Sequence, residues 1–140
     1  MHIEWGEQFS VHVAVIDEQH RETIRLFNLL DDIAAGQRPL VELASIVDAT
    51  VAHLKHHIAT EEHYFDEFGY EHAGEHKLAH RSFLAGMQKV LDAYRYEPVR
   101  VINNVMPLMR AWLEVHTALH DKKYADCFHQ HGLDGGVSSV

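Results

Sequence analysis

Apolar side chains recur at steps of three and four along four stretches of this chain, and a histidine interrupts each of the four series. That period belongs to helices with one buried face; a half-buried strand would alternate at steps of two. The first stretch, Glu18 to Ala35, has the inward series Ile16, His20, Ile24, Phe27, Leu30 and Ala34, with Asp17 as the expected N-cap and Gly36 as the expected stop. The second starts near Pro39, a favoured first helical residue, and runs through Leu43, Val47, Thr50, Leu54, His57, Glu61, Tyr64 and Phe68 to a cap at Gly69. The third, Glu71 to Tyr94, carries Ala73, His76, His80, Phe83, Met87, Val90 and Tyr94. The fourth, Asn104 to His129, carries Val105, Leu108, Trp112, His116 and Leu119. Arg95 to Asn103 reads as irregular, broken by Pro98, and Pro107 is acceptable only in a first helical turn.

Four helices joined by short connections predict an all-α, antiparallel up-down-up-down four-helix bundle. We expect it to occupy residues 1–130, with a flexible C-terminal tail over 131–140, where Gly and Ser replace any periodicity. No apolar run approaches the roughly 20 residues of a membrane helix. Lys and Arg number 12 against 21 Asp and Glu, a net charge of −9, so no basic face is available for nucleic acid. The lone Cys127 and the absence of a basic-then-apolar leader predict a cytoplasmic protein.

Histidine is the compositional anomaly, at 14 of 140 residues. Each helix aims a titratable group into the core: His20, then His57 with Glu61, then His76 with His80, then His116. Any one of these reads most simply as a hydrogen-bonded core histidine. Six at similar depth, two pairs of them spaced i,i+4 on one helical face, form a costly buried polar patch unless a metal ion engages them. Imidazole with carboxylate and no thiolate suits iron, zinc, copper or nickel. More than four donors favours two ions over one tetrahedral zinc.

The order Asp17-Glu18-Gln19-His20, His57-Ile58-Ala59-Thr60-Glu61-Glu62, Gly69-Tyr70, His76-Lys77-Leu78-Ala79-His80 and Trp112-Leu113-Glu114-Val115-His116, ending at Asp121, resembles the hemerythrin family, the bacteriohemerythrin branch in particular. The resemblance spans residues 5 to 124. It implies two non-haem iron ions per chain, bridged by an oxo or hydroxo group. His76, His80 and His116 would hold one iron, His20 and His57 the other, and Glu61 and Asp121 would bridge both. Asp121 comes from the resemblance alone: on a regular helix His120, not Asp121, shares a face with His116. The resemblance therefore requires a local widening over 117–121, such as a π-bulge. We take Asp121 because anionic bridges offset two dications, and His120 supplies no negative charge.

The implied function is reversible dioxygen binding without catalysis, at the one coordination position that a two-histidine iron leaves open. Trp112 and Leu113 match the family's apolar pocket, whereas Thr23, Ile58 and Thr117 stand where Leu, Phe and Ile are usual. Two readings of these departures are open: no consequence, or a wetter pocket suited to sensing, peroxide or nitric oxide chemistry, or iron handling. The alternatives to a dioxygen carrier are thus an enzyme using the same iron pair and a structural bundle holding zinc or nothing. No protein partner is legible. The other histidines, from His2 to His131, are expected mostly on solvated faces, with supporting roles open for His53 and His72. Glu18, Glu22, Glu62 and Glu67 are expected to be solvated charges, and Cys127 a packed thiol.

Overall fold

The computed structural model describes residues 1–135. Helix α1 spans Ala14–Ala34, α2 Leu43–Phe68, α3 Ala73–Tyr94 and α4 Pro98–Ala111. The chain continues from α4 through a π-helical segment, Trp112–Asp121, into α5, Lys122–Gln130, and these three form the fourth rod of the bundle. The rods alternate in direction, with α1 against α2 and α4, and α3 against α2 and α4. The described residues contain no strand, and none of their helices is long and apolar enough to cross a membrane. The expected all-α four-helix bundle is the observed one. Residues 136–140 of the expected tail lie outside the described residues. Within 131–135, the Asp134 carbonyl accepts the Ala14 N–H at 2.7 Å and Leu133 packs against buried apolar residues.

Several local expectations change. Helix α1 begins at Ala14, and its N-cap is Val13, not Asp17. The buried Asp17 carboxylate instead accepts Ser10 Oγ at 2.6 Å and the Val11 N–H at 2.9 Å, tying the N-terminal arm to the bundle. Ala34 is exposed, because the buried stripe of α1 ends at Ile33. Pro39 precedes a short 3-10 turn, Leu40–Glu42, rather than opening α2. Phe65, rather than Tyr64 or Phe68, is the fully buried aromatic of α2. The fourth rod begins at Pro98, six residues earlier than expected: proline's fixed φ suits the first helical turn. Pro107 sits inside α4, and the carbonyl that its missing N–H deprives belongs to exposed Asn103, where water can serve it. Gly69 ends α2 as expected, at φ 62° and ψ 42° in the left-handed region.

Asp17→Ala strips an acceptor from two donors in buried surroundings. We expect a loss of about 3 kcal/mol in urea unfolding, the scale of charged buried hydrogen bonds, with faster amide exchange in residues 1–13.

The apolar interior has two parts. One gathers Ile24, Phe27, Leu54, Met87, Met109 and Leu113; the other gathers Ile16, Phe65, Tyr124 and Phe128. On every rod the two are separated by polar residues: His20 on α1, His57 and Glu61 on α2, His76 and His80 on α3, and His116, Thr117 and Asp121 on the π-helical segment, all buried. A continuous polar layer therefore crosses the core at one depth.

Candidate metal centre

Six members of this layer follow from regular helical spacing, and the seventh depends on the π-helical segment. With hydrogen bonds running i→i+5, residues five apart share a face. Trp112 aligns with Thr117, and His116 with Asp121. The buried set of the segment is accordingly Trp112, Leu113, His116, Thr117 and Asp121. Leu119, expected inside on a regular helix, is rolled out to 57% exposure. The widening begins earlier than the 117–121 that the sequence suggested, and it delivers Asp121 rather than half-buried His120 to the layer.

The seven side chains form two donor sets that share Glu61. His76, His80, His116 and Glu61 make one; His20, His57, Glu61 and Asp121 make the other, with donor atoms within 4.8 Å of one another in each. Asp121 spans both: Oδ1 lies 3.1 Å from His76 Nε2 and 3.1 Å from His116 Nε2, and Oδ2 lies 3.1 Å from His20 Nε2. Glu61 Oε1 is 3.0 Å from His80 Nε2 and 3.6 Å from both His57 Nε2 and His76 Nε2.

Three of the imidazoles are fixed from behind. His20 Nδ1 donates to the Phe9 carbonyl at 2.7 Å, His57 Nδ1 to Gln19 Oε1 at 2.6 Å, and His80 Nδ1 to Glu62 Oε2 at 2.7 Å. Each bond orients its ring and leaves Nε2 facing the layer's centre, as supporting partners of metal-bound histidines do. Glu62 is thus half-buried and engaged, not the solvated charge expected of it. Tyr124, fully buried, donates its hydroxyl to Glu61 Oε2 at 2.5 Å and stacks near His76. Gln19, Glu62 and Tyr124 escaped the sequence reading: the first two sit beside a cluster residue rather than on the inward stripe, and the third follows the π-helical segment.

The layer's electrostatics are those of a cation site. Burial pushes His57 down to about 4. Burial opposes a charge on His76 too, but the carboxylates of Asp121 and Glu61 beside its ring prevail and raise it to about 9. Burial and their mutual repulsion disfavour both carboxylates as anions, yet the surrounding imidazoles hold Glu61 and Asp121 below the usual carboxylate range. Even so, His20 Nε2, His57 Nε2 and both Asp121 oxygens are buried without a hydrogen-bond partner. Convergent nitrogen and oxygen donors left unsatisfied in a core fit metal ions, which would engage the lone pairs that protein donors do not.

Thr23, Ile58, Trp112, Leu113 and Thr117, the five residues expected to line a pocket, are all buried. Trp112 lies flat against His116, with ring centroids 3.8 Å apart. The Thr23 hydroxyl donates to the Gln19 carbonyl at 3.1 Å and accepts from His53 Nε2 at 3.1 Å, so His53 takes the supporting place left open for it. His72 is exposed beside Glu71 and Glu75 and supports nothing in the layer.

A family model described as the hemerythrin HHE cation binding domain matches residues 11–128. Curated relatives agree. A bacteriohemerythrin of Pseudomonas paraeruginosa is 25% identical over 126 residues, covering 89% of this chain and 80% of the relative. One from Stenotrophomonas maltophilia is 28% identical over 123 residues, covering 87% and 78%. One from Clostridium acetobutylicum is 23% identical over 126 residues, covering 87% and 98%.

Proposed function

The chain belongs to the hemerythrin HHE cation-binding family, and from that premise we propose that it binds dioxygen reversibly at a pair of non-haem irons, without catalysing a reaction. The carrying observation is the two donor sets that share Glu61 and are spanned by Asp121. His76, His80 and His116 would hold one iron and His20 and His57 the other, with Glu61 and Asp121 placed to donate to both. When bound, the iron pair supplies the two electrons that reversible dioxygen capture requires.

The chain's own residues supply the rest. Phe9, Gln19 and Glu62 keep three rings in place, so the donors are preorganised rather than gathered by the metal. Tyr124 fixes Glu61 through a proton it does not give up, since burial raises its hydroxyl well above the ordinary value. Ile58, Trp112 and Leu113 exclude water from the reacting face. The test is metal analysis followed by anaerobic reduction and exposure to air. Two irons per chain, and an oxygenated spectrum that reverses under vacuum, are the expected results; zinc, or no metal, refutes the reading.

A second reading, peroxide or nitric oxide chemistry at the same site, has one observation in its favour. His53 is half-buried, links to Thr23 inside, and lines a surface cleft with Glu18 and Glu22. That gives a polar connection from solvent towards the pocket. Irreversible bleaching to the ferric form on aeration favours this reading over a carrier.

Thr117 tests the pocket directly. Thr117→Ile replaces a hydroxyl with apolar bulk one residue after His116. The oxygenated form of this variant should decay about five-fold more slowly, the rate equivalent of roughly 1 kcal/mol of barrier. Thr117→Ala, which enlarges the opening, should not slow the decay. The readout is loss of the oxygenated absorbance in air at fixed pH and chloride. Decay of Thr117→Ile at or above the parent rate removes Thr117 as the control of access.

A further inference from the structure

We propose that the groove between α3 and the π-helical segment is an electron-entry surface, shaped to receive a small acidic one-electron carrier protein over the edge of His116. The proposal rests on the iron-binding reading of the layer. His116 is the least buried of the seven donors: its side chain is 8% exposed, against 2% or less for His20, His57, His76, His80, Glu61 and Asp121. It emerges at the floor of a groove of about 290 Å³ that Phe83 and Trp112 also line. The rings are layered there, His116 on Trp112 at 3.8 Å and 9°, and Trp112 on Phe83 at 4.1 Å and 24°.

The rim is apolar and open. Val115 and Leu119 line the groove, Leu78 adjoins lining residue Ala79, and the three are 53–60% exposed. The outward roll of Leu119 follows from the same π-helical geometry that turns Asp121 inward, so building the site also builds the rim. Electron transfer weakens steeply with distance, and a ligand edge at the surface offers the shortest route to a buried centre. An apolar ring around that edge lets a partner approach without trapped water, and small interfaces of this kind suit brief redox encounters.

Charge selects the partner. Arg81, three residues after Leu78, and Lys123, four after Leu119, are exposed and form no ion pair among the described residues. Glu114, beside Val115, is engaged by Arg110 at 3.0 Å. On a chain of net charge −9, an unpaired Lys123 close enough to lining residue His120 to act on its charge, with Arg81 on the outer face of α3, favours a carrier with an acidic face. Each encounter oxidises the carrier by one electron and reduces one ferric ion to ferrous. Two encounters restore an oxidised pair to the dioxygen-binding state, with no bond made or broken in the protein.

The experiment is stopped-flow reduction of the ferric, iron-loaded protein by reduced plant-type ferredoxin, with dithionite as a small-molecule control. Leu119→Glu and Val115→Glu should keep iron content and dithionite rate while slowing ferredoxin by about tenfold or more, the effect of a charge in an interface centre. Arg81→Glu should slow ferredoxin at low salt and flatten its salt dependence. Equal ferredoxin rates in parent and Leu119→Glu overturn the proposal. Equal slowing of both reductants also overturns it, because the groove would then admit small molecules rather than a protein. Failure of the iron reading shows separately, as absence of iron. The surface is then tested by oxidised ferredoxin on the ¹⁵N-labelled chain: shifts confined to Leu78, Val115, Leu119 and their neighbours support it, and none there refutes it.

Discussion

His76→Ala should reduce the bound iron from two ions per chain to one or none after desalting, while the bundle stays helical. Among the layer's histidines His76 has the most polar neighbours: its Nε2 lies 3.1 Å from His116 Nε2, 3.1 Å from Asp121 Oδ1 and 3.6 Å from Glu61 Oε1. Removing it deletes a donor from the three-histidine set and takes a partner from both carboxylates that reach the other set. Loss of a mere supporting partner costs about 10- to 100-fold in metal affinity, so loss of a donor costs more than about 100-fold. The second ion should become labile as well, because Glu61 and Asp121 are common to both. Exposed His63, paired only with Glu67, is the control: His63→Ala should keep both irons. Iron per chain after desalting, read beside far-ultraviolet circular dichroism, distinguishes site loss from unfolding. Two tightly retained irons in His76→Ala would overturn the ligand assignment.

How much of this site was legible in the sequence follows from helical geometry. His20, His57, Glu61, His76, His80 and His116 fall on the inward stripes of regular helices, so steps of three and four find them. Asp121 does not, because its approach depends on ten residues of π-helix, whose hydrogen-bond shift no stripe encodes. Only the resemblance to a family pattern placed it. The same shift explains the error at Leu119. Asp17 has the residue type of an N-cap but serves the preceding arm, a tertiary contact that local propensity does not see. Gln19 and Glu62 illustrate a further limit. Each sits at the flank of its stripe, and only the approach of a neighbouring rod makes it the partner of His57 or His80. Helix type and the inward face are properties of one segment; the choice of supporting partners is a property of two.

Iron removal should lower the melting temperature by on the order of 10 °C. The metal-free layer buries five imidazoles and two carboxylates and leaves five of their donor or acceptor atoms (His20 Nε2, His57 Nε2, His76 Nδ1 and both Asp121 oxygens) without partners. Metal that binds the folded chain and not the unfolded one stabilises by linkage, about 4 kcal/mol at a thousandfold excess over Kd. At about 2–4 °C per kcal/mol, the range for chains of roughly 150 residues and more, the shift for this 140-residue chain is on the order of 10 °C. In the metal-free protein pH adds its own signature. His57 is depressed to about 4, so its contribution is present above its ordinary value of 6.5 and is lost as pH falls from there towards 4. His76 is raised to about 9, so its contribution is present below 6.5 and is lost as pH rises towards 9. The metal-free chain should therefore melt highest near neutrality and lower on both sides. In the iron-loaded chain, acid should release metal as protons compete for the same nitrogens. Calorimetry on matched iron-loaded and chelator-treated samples across this range is the measurement. Identical melting temperatures with and without iron would mean that the metal sits on exposed histidines rather than in the core.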